Sequence, residues 1–88
     1  TRPIEITGDQ LHINVDSWRG RVKTEILDAS TNEPIPGYTE DDSVPANIDS
    51  IDETTRWRDK TNLTDIRGKT VLLRFHLWQA ELYSFWIE

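Results

Sequence analysis

The sequence predicts an all-β protein: a small antiparallel β-sandwich, jelly-roll or immunoglobulin-like, of about seven strands. Three observations carry that expectation. Apolar residues recur with period two in several short segments. No stretch of about ten residues carries the 3.6-residue spacing of an amphipathic helix. Turn-forming residues punctuate a chain of only 88 residues, so the strands are short and close together.

A short strand over 3–7 opens the chain before Gly8-Asp9. In Leu11-His12-Ile13-Asn14-Val15-Asp16 the apolar set is Leu11, Ile13 and Val15, with His12, Asn14 and Asp16 on the opposite side. After Arg19-Gly20 the alternation resumes through Val22-Lys23-Thr24-Glu25-Ile26, so 10–17 and 20–29 read as a β-hairpin with Ser17-Trp18-Arg19-Gly20 at its tip. The connection over 30–50 carries Pro34, Pro36, Gly37 and Pro45 and turns acidic from Glu40 onward. Residues 54–58 read as a strand with Trp57 inward and Arg56 and Arg58 outward. A second connection, 59–68, offers Leu63 and Ile66 as anchors onto the core. Connections of this length are usually either functional or poorly ordered. The clearest strand, 71–78, points Val71, Leu73, Phe75 and Leu77 inward and Leu72, Arg74, His76 and Trp78 outward. Gln79-Ala80-Glu81 turns the chain into a last strand over 82–87, where Trp86 has the opposite parity from Tyr83, Phe85 and Ile87 and faces outward or lies beneath a loop.

Composition narrows the function. Sixteen acids against ten bases give a formal charge of −6. Nucleic-acid binding depends on Lys and Arg displacing counterions from phosphates, and anionic membranes attract the same residues, so neither is an expected partner. No run of eighteen apolar residues exists, so no spanning helix is expected. Cysteine is absent, which removes disulfides and thiolate chemistry. Methionine is absent even at position 1, and 1–88 is read as one module cut from a longer protein.

Several phrases together carry a family resemblance: Leu11-His12-Ile13-Asn14-Val15-Asp16, Glu25-Ile26-Leu27-Asp28, Pro34-Ile35-Pro36-Gly37-Tyr38, Trp57, Gly68-Lys69, Leu73-Arg74-Phe75 and Leu82-Tyr83-Ser84-Phe85. Over nearly the whole chain they resemble the C-terminal β-sandwich of bacterial proteins whose preceding domain is a five-bladed β-propeller similar to glycoside hydrolase family 32 and its relatives. The Pro-Ile-Pro-Gly-Tyr and Leu-Tyr-Ser-Phe phrases are its most specific parts. The resemblance implies a non-catalytic accessory module of a secreted carbohydrate-active enzyme, extracellular or periplasmic. The catalytic carboxylates of such enzymes lie in the propeller. The sandwich is often a structural partner of the propeller and only sometimes a sugar binder. Trp18 and Trp78 depart from that pattern, which has small or charged residues there.

Sugar recognition uses flat aromatic side chains stacked on the apolar face of a pyranose, and four tryptophans in 88 residues is a high count. Trp57 reads as core. Trp18, Trp78 and Trp86 are the candidate platforms, with Arg74, His76 and Arg56 as hydrogen-bonding partners for sugar hydroxyls or a uronate carboxylate. The competing reading makes the same tryptophans an interface with the parent domain, and the arginines and histidine a solvated face paired with acids. Glu40, Asp41, Asp42, Asp49, Asp52 and Glu53 raise the question of calcium, but no Asp-x-Asp-x-Asp-Gly loop is present, and no metal or cofactor is expected. The two histidines both read as strand surface, and no catalytic residue is assigned. Gly68-Lys69-Thr70 is not a phosphate loop: Leu63 stands where the motif needs glycine, and a strand follows. Asn62-Leu63-Thr64 is a glycosylation sequon. The expected function is therefore binding of a polysaccharide or oligosaccharide beside a parent catalytic domain. The alternative is a structural domain that stabilises a propeller without sugar affinity of its own.

Overall fold

In the computed structural model, which describes residues 2–88, six strands form two three-stranded antiparallel sheets. The strands are β1 (Ile4–Glu5), β2 (Leu11–Asp16), β3 (Arg21–Asp28), β4 (Asp49–Thr54), β5 (Thr70–Trp78) and β6 (Glu81–Ile87). One sheet runs β1-β5-β3 and the other β4-β2-β6. Together they make a small β-sandwich. Three isolated bridges outside the strands, Val22 to Ala46, Leu27 to Pro34 and Ser43 to Trp57, extend the pairing into the long connection.

Each strand lies in the other sheet from the one before it, so every connection crosses the sandwich. This corrects the expected hairpin. β2 and β3 alternate as anticipated, but they belong to opposite sheets, and Ser17-Trp18-Arg19-Gly20 is a corner. A hairpin would place Leu11, Ile13, Val15, Val22 and Ile26 on one face of one sheet, still in need of a cover. Crossing sets the two apolar stripes against each other, and all five side chains are buried.

The corner is held from inside. Gly20 N–H donates to the Ser17 carbonyl at 3.0 Å. Ser17 is fully buried: its N–H donates to the Ile48 carbonyl at 3.0 Å, and its hydroxyl lies 3.0 Å from the Ala46 carbonyl and 2.9 Å from that of Ile48. Ile48 N–H in turn donates to Ser17 Oγ at 3.0 Å. The second crossing at this end, from β5 to β6 through Gln79 and Ala80, lies directly against the first. A Cβ on Gly20 would stand 1.6 Å from the Trp78 carbonyl oxygen, so only glycine lets the corners touch.

The connection after β3 is ordered by backbone pairing. Along the free edge of β3, the N–H groups of Val22, Thr24, Ile26 and Asp28 donate to the Ala46 carbonyl, Ser43 Oγ, the Tyr38 carbonyl and the Glu33 carbonyl, at 2.8 to 3.0 Å. The far side of the same connection joins the segment after β4, where Val44 N–H donates to the Arg56 carbonyl and Arg58 N–H to that of Asp42. It thus bridges the two sheets and covers the edge of β3.

Tyr38 and Trp57 fill the centre of the larger core cluster, with rings edge to face at 4.9 Å. Each has a polar outlet: Trp57 Nε1 donates to the Thr24 carbonyl at 2.8 Å, and the Tyr38 hydroxyl to the Asn62 carbonyl at 3.0 Å. Phe75 and Phe85 touch both this cluster and a smaller one built on Ile13, Val15 and Val22. Leu63 and Ile66 are buried as anticipated, Leu63 immediately before and Ile66 at the end of a 3-10 turn over Thr64–Ile66.

Three details differ from expectation. The strand placed at 54–58 is instead Asp49–Thr54, and Trp57 follows it in the bridge to Ser43, still buried, with Arg56 and Arg58 exposed. Leu77 keeps inward parity but is 47% exposed, because β5 runs past the end of the core. Tyr83 is 59% exposed because the register of β6 on β2 jumps from Ser84 to Leu82, a bulge that turns Tyr83 outward and returns Leu82 to the core side.

Two predictions follow from this packing. Gly20→Ala forces backbone against backbone and is expected to cost about 2 to 3 kcal/mol in urea denaturation. Gly68→Ala, at φ +87° with open space around it, is expected to cost about 1 kcal/mol. The second concerns alkaline stability. Burial, assisted by the charge of Asp65, pushes the Tyr38 phenol above the ordinary tyrosine range. The unfolded chain releases this proton near about pH 10 while the folded protein retains it, so the contribution is complete below about pH 10 and lost as pH rises through the folded value. Tyr38→Phe is expected to lower stability at neutral pH by about 1 kcal/mol, through the lost hydrogen bond, and to flatten the decline above about pH 10. The slope that remains belongs to Tyr83, raised by its hydrogen bond to Glu81, and to Lys60, raised by Asp65.

Candidate functional site

The six residues singled out from the sequence do not converge. Trp78, Arg74 and His76 share the outer face of β5, with Trp18 on the neighbouring corner. Trp86 lies on the outer face of the other sheet. Arg56 is exposed on the segment after β4, beside a cavity of about 30 Å³ behind Ala46 and Thr55 that shares no residue with the corner.

The corner carries the most open aromatic surface. Trp18 is 60% exposed and Trp78 50% exposed. Each indole has an arginine over it: Arg19 Cζ lies 4.4 Å from the centroid of Trp18, and Arg21 Cζ 4.5 Å from that of Trp78. The first pair comes from adjacent residues in the turn. The second comes from sheet register, since Arg21 and Trp78 are cross-strand partners on β3 and β5. Two open clefts of about 430 Å³ each flank Gln79. One is bounded by Trp18, Arg19, Asp16 and Glu81, the other by Arg19, Gly20, Arg21 and Trp78. Gln79 has φ +45°, a left-handed conformation that a side chain rarely adopts and that tight corners and binding sites sustain through surrounding contacts.

Arg74 and His76 are engaged within the protein. Glu25, whose side chain is nearly buried, accepts from Arg74 Nη1 at 3.4 Å and faces His76 Nε2 at 3.3 Å. His76 Nδ1 faces Glu40 at 3.5 Å, which ties the long acidic connection to the sheet. His12 is arranged in the same way on the other sheet. It lies parallel to Trp86 at 5.3 Å, with Nδ1 2.7 Å from Asp52 and Nε2 3.3 Å from Glu88. Trp86 therefore has one ring face covered by an imidazole. Both histidines have both nitrogens against carboxylates, and the two contacts are hydrogen bonds together only when the ring carries both protons. Among the described residues, no group of three or more acids or histidines is arranged to hold a metal ion.

Sequence reading missed Arg19, Arg21 and Gln79. Arg19 is adjacent to Trp18 and was legible as a neighbour. Arg21 reaches Trp78 only through a register between strands 57 positions apart, for which no local signal exists.

No protein-family model, no curated protein and no solved structure matches this chain. The fold and the corner define a class on their own terms: a small β-sandwich with an aromatic, arginine-braced end.

The Glu25 cluster gives a stability test. Glu25→Gln is expected to cost about 1 kcal/mol in urea denaturation, since it leaves two donors facing a neutral amide. Arg74→Ala is expected to cost less than about half of that, because its guanidinium is largely in solvent.

Proposed function

We propose that this protein is a non-catalytic carbohydrate-binding module and that its binding surface is the corner formed by Trp18 and Trp78. The observation that carries the reading is the pair of half-exposed indoles at one end of the sandwich, each braced by an arginine beside an open cleft. An indole restrained in one orientation loses little freedom when a pyranose stacks on it. The clefts add hydroxyl partners in Gln79, Asp16 and Glu81. Arg74, His76, Trp86 and Arg56 have no part in this version of the site. The resemblance to the sandwich of five-bladed propeller proteins supplies the setting: an accessory module of a secreted bacterial glycoside hydrolase-like enzyme, acting on a polysaccharide outside the cytoplasm.

A second reading rests on a different observation. Ile51, Leu77 and Ile48 are exposed aliphatics, which sugars do not require and a protein partner would cover. Here the module is a structural domain docked on its parent propeller.

A panel of neutral and acidic polysaccharides read by affinity electrophoresis separates the two. Retardation by at least one polymer is expected, with affinity falling about tenfold or more in Trp78→Ala and in Trp18→Ala. Unchanged mobility on every polymer, together with a lower melting temperature of the parent protein when the module is deleted, would establish the docking role instead.

A further inference from the structure

We infer that the corner selects an acidic saccharide, and that Arg19 and Arg21 receive a uronate carboxylate in the cleft beside Trp78. The inference rests on the saccharide reading of this corner and adds the chemical class of the ligand.

Charge distribution is the first argument. The protein carries a formal charge of −6, yet the cleft bounded by Arg19, Gly20, Arg21, Trp78 and Gln79 contains two arginines and no carboxylate. Arg67 pairs with Asp9, Arg74 with Glu25 and Lys60 with Asp65, whereas Arg2, Lys23, Arg56, Arg58 and Lys69 stand scattered without an ion pair among the described residues. Arg19 and Arg21 differ from those in lining one cleft together. Arg19 and Arg21 form no ion pair with any described residue and no side-chain hydrogen bond. Their partners in the protein are the indoles of Trp18 and Trp78.

Geometry is the second argument. Both arginines are exposed, and each lies over an indole with its N–H groups unclaimed by protein acceptors. A planar carboxylate uses such a fork through parallel hydrogen bonds, and it does so more strongly there than with a freely hydrated lysine. A uronic acid unites the two features this cleft addresses: a carboxylate for the arginines and a ring face for the exposed indole. Gln79, fixed at φ +45° on the rim, offers an amide to the ring hydroxyls.

The neighbouring cleft sets a direction. Around Trp18 the rim includes Asp16 and Glu81, which accept hydrogen bonds from hydroxyls and repel a second carboxylate. The acid group of the bound sugar therefore lies on the Trp78 side of Arg19.

The test uses the intact module in isothermal titration with polygalacturonate, alginate and glucuronan, each beside its carboxyl-reduced neutral counterpart and with polyglutamate as a sugar-free polyanion. At least one uronate polymer is expected to bind about tenfold or more tightly than its reduced form, an advantage that shrinks at high salt. Arg19→Gln with Arg21→Gln should abolish that advantage without moving the urea midpoint, whereas Trp78→Ala should weaken both forms. Equal binding of a polymer and its reduced form would overturn the acidic selectivity while leaving the saccharide reading intact. Polyglutamate binding as tightly as the best uronate would overturn the saccharide class. Absence of binding to every uronate polymer, but not to the neutral panel, would overturn the inference alone. Absence of binding to all of them would overturn both.

Discussion

The contact between Gly20 and the Trp78 carbonyl is the constraint on which the rest of this structure depends. Two chain crossings, β2 to β3 and β5 to β6, meet at one end of the sandwich, and the missing Cβ at Gly20 lets them touch. From that contact follow the register of β3 on β5, the pairing of Arg21 with Trp78, and the position of Gln79 between two clefts. The buried Ser17 hydroxyl secures the same corner from beneath: it accepts from the Ile48 amide and lies within hydrogen-bond distance of the Ala46 and Ile48 carbonyls, which also accept from the Val22 and Ser17 amides.

A module of this size cannot stabilise itself through a large core, and the long connection between β3 and β4 compensates. It contributes Tyr38 to the core, accepts from four N–H groups along the edge of β3 and links that edge to the segment carrying Trp57. Its acids are partly used within the fold: Glu40 faces His76, and the Asp42 carboxylate accepts from Thr39 Oγ1. β6 has a partner on one side, and the bulge at Tyr83 breaks its outer edge where a flat strand would invite pairing with another chain.

The four tryptophans, which look alike as a composition statistic, occupy four different environments. Trp57 is core and spends its N–H on Thr24, Trp86 lies under an imidazole on one sheet, and Trp18 and Trp78 stand at the corner under guanidinium groups. Only the last two combine open surface with open space. Arg74 and His76 share a strand face with Trp78, as alternation indicates, but a buried glutamate from the neighbouring strand claims them both. Strand parity reports the side a residue faces and is silent on whether that side is already occupied.

Alternation along 11–16, 22–26 and 71–78 was sufficient for the all-β class and for most of the core, because burial on a pleated strand requires period two. The same pattern was silent on which strands pair, since a hairpin and a crossing demand the same alternation. It was silent also on the bulge at Tyr83, which depends on the neighbouring strand. Trp18 and Trp78 were legible as candidates because large aromatics outside the buried set are uncommon. Their grouping with Arg19, Arg21 and Gln79 was decided only in three dimensions, where two corners distant in sequence are brought together across a glycine.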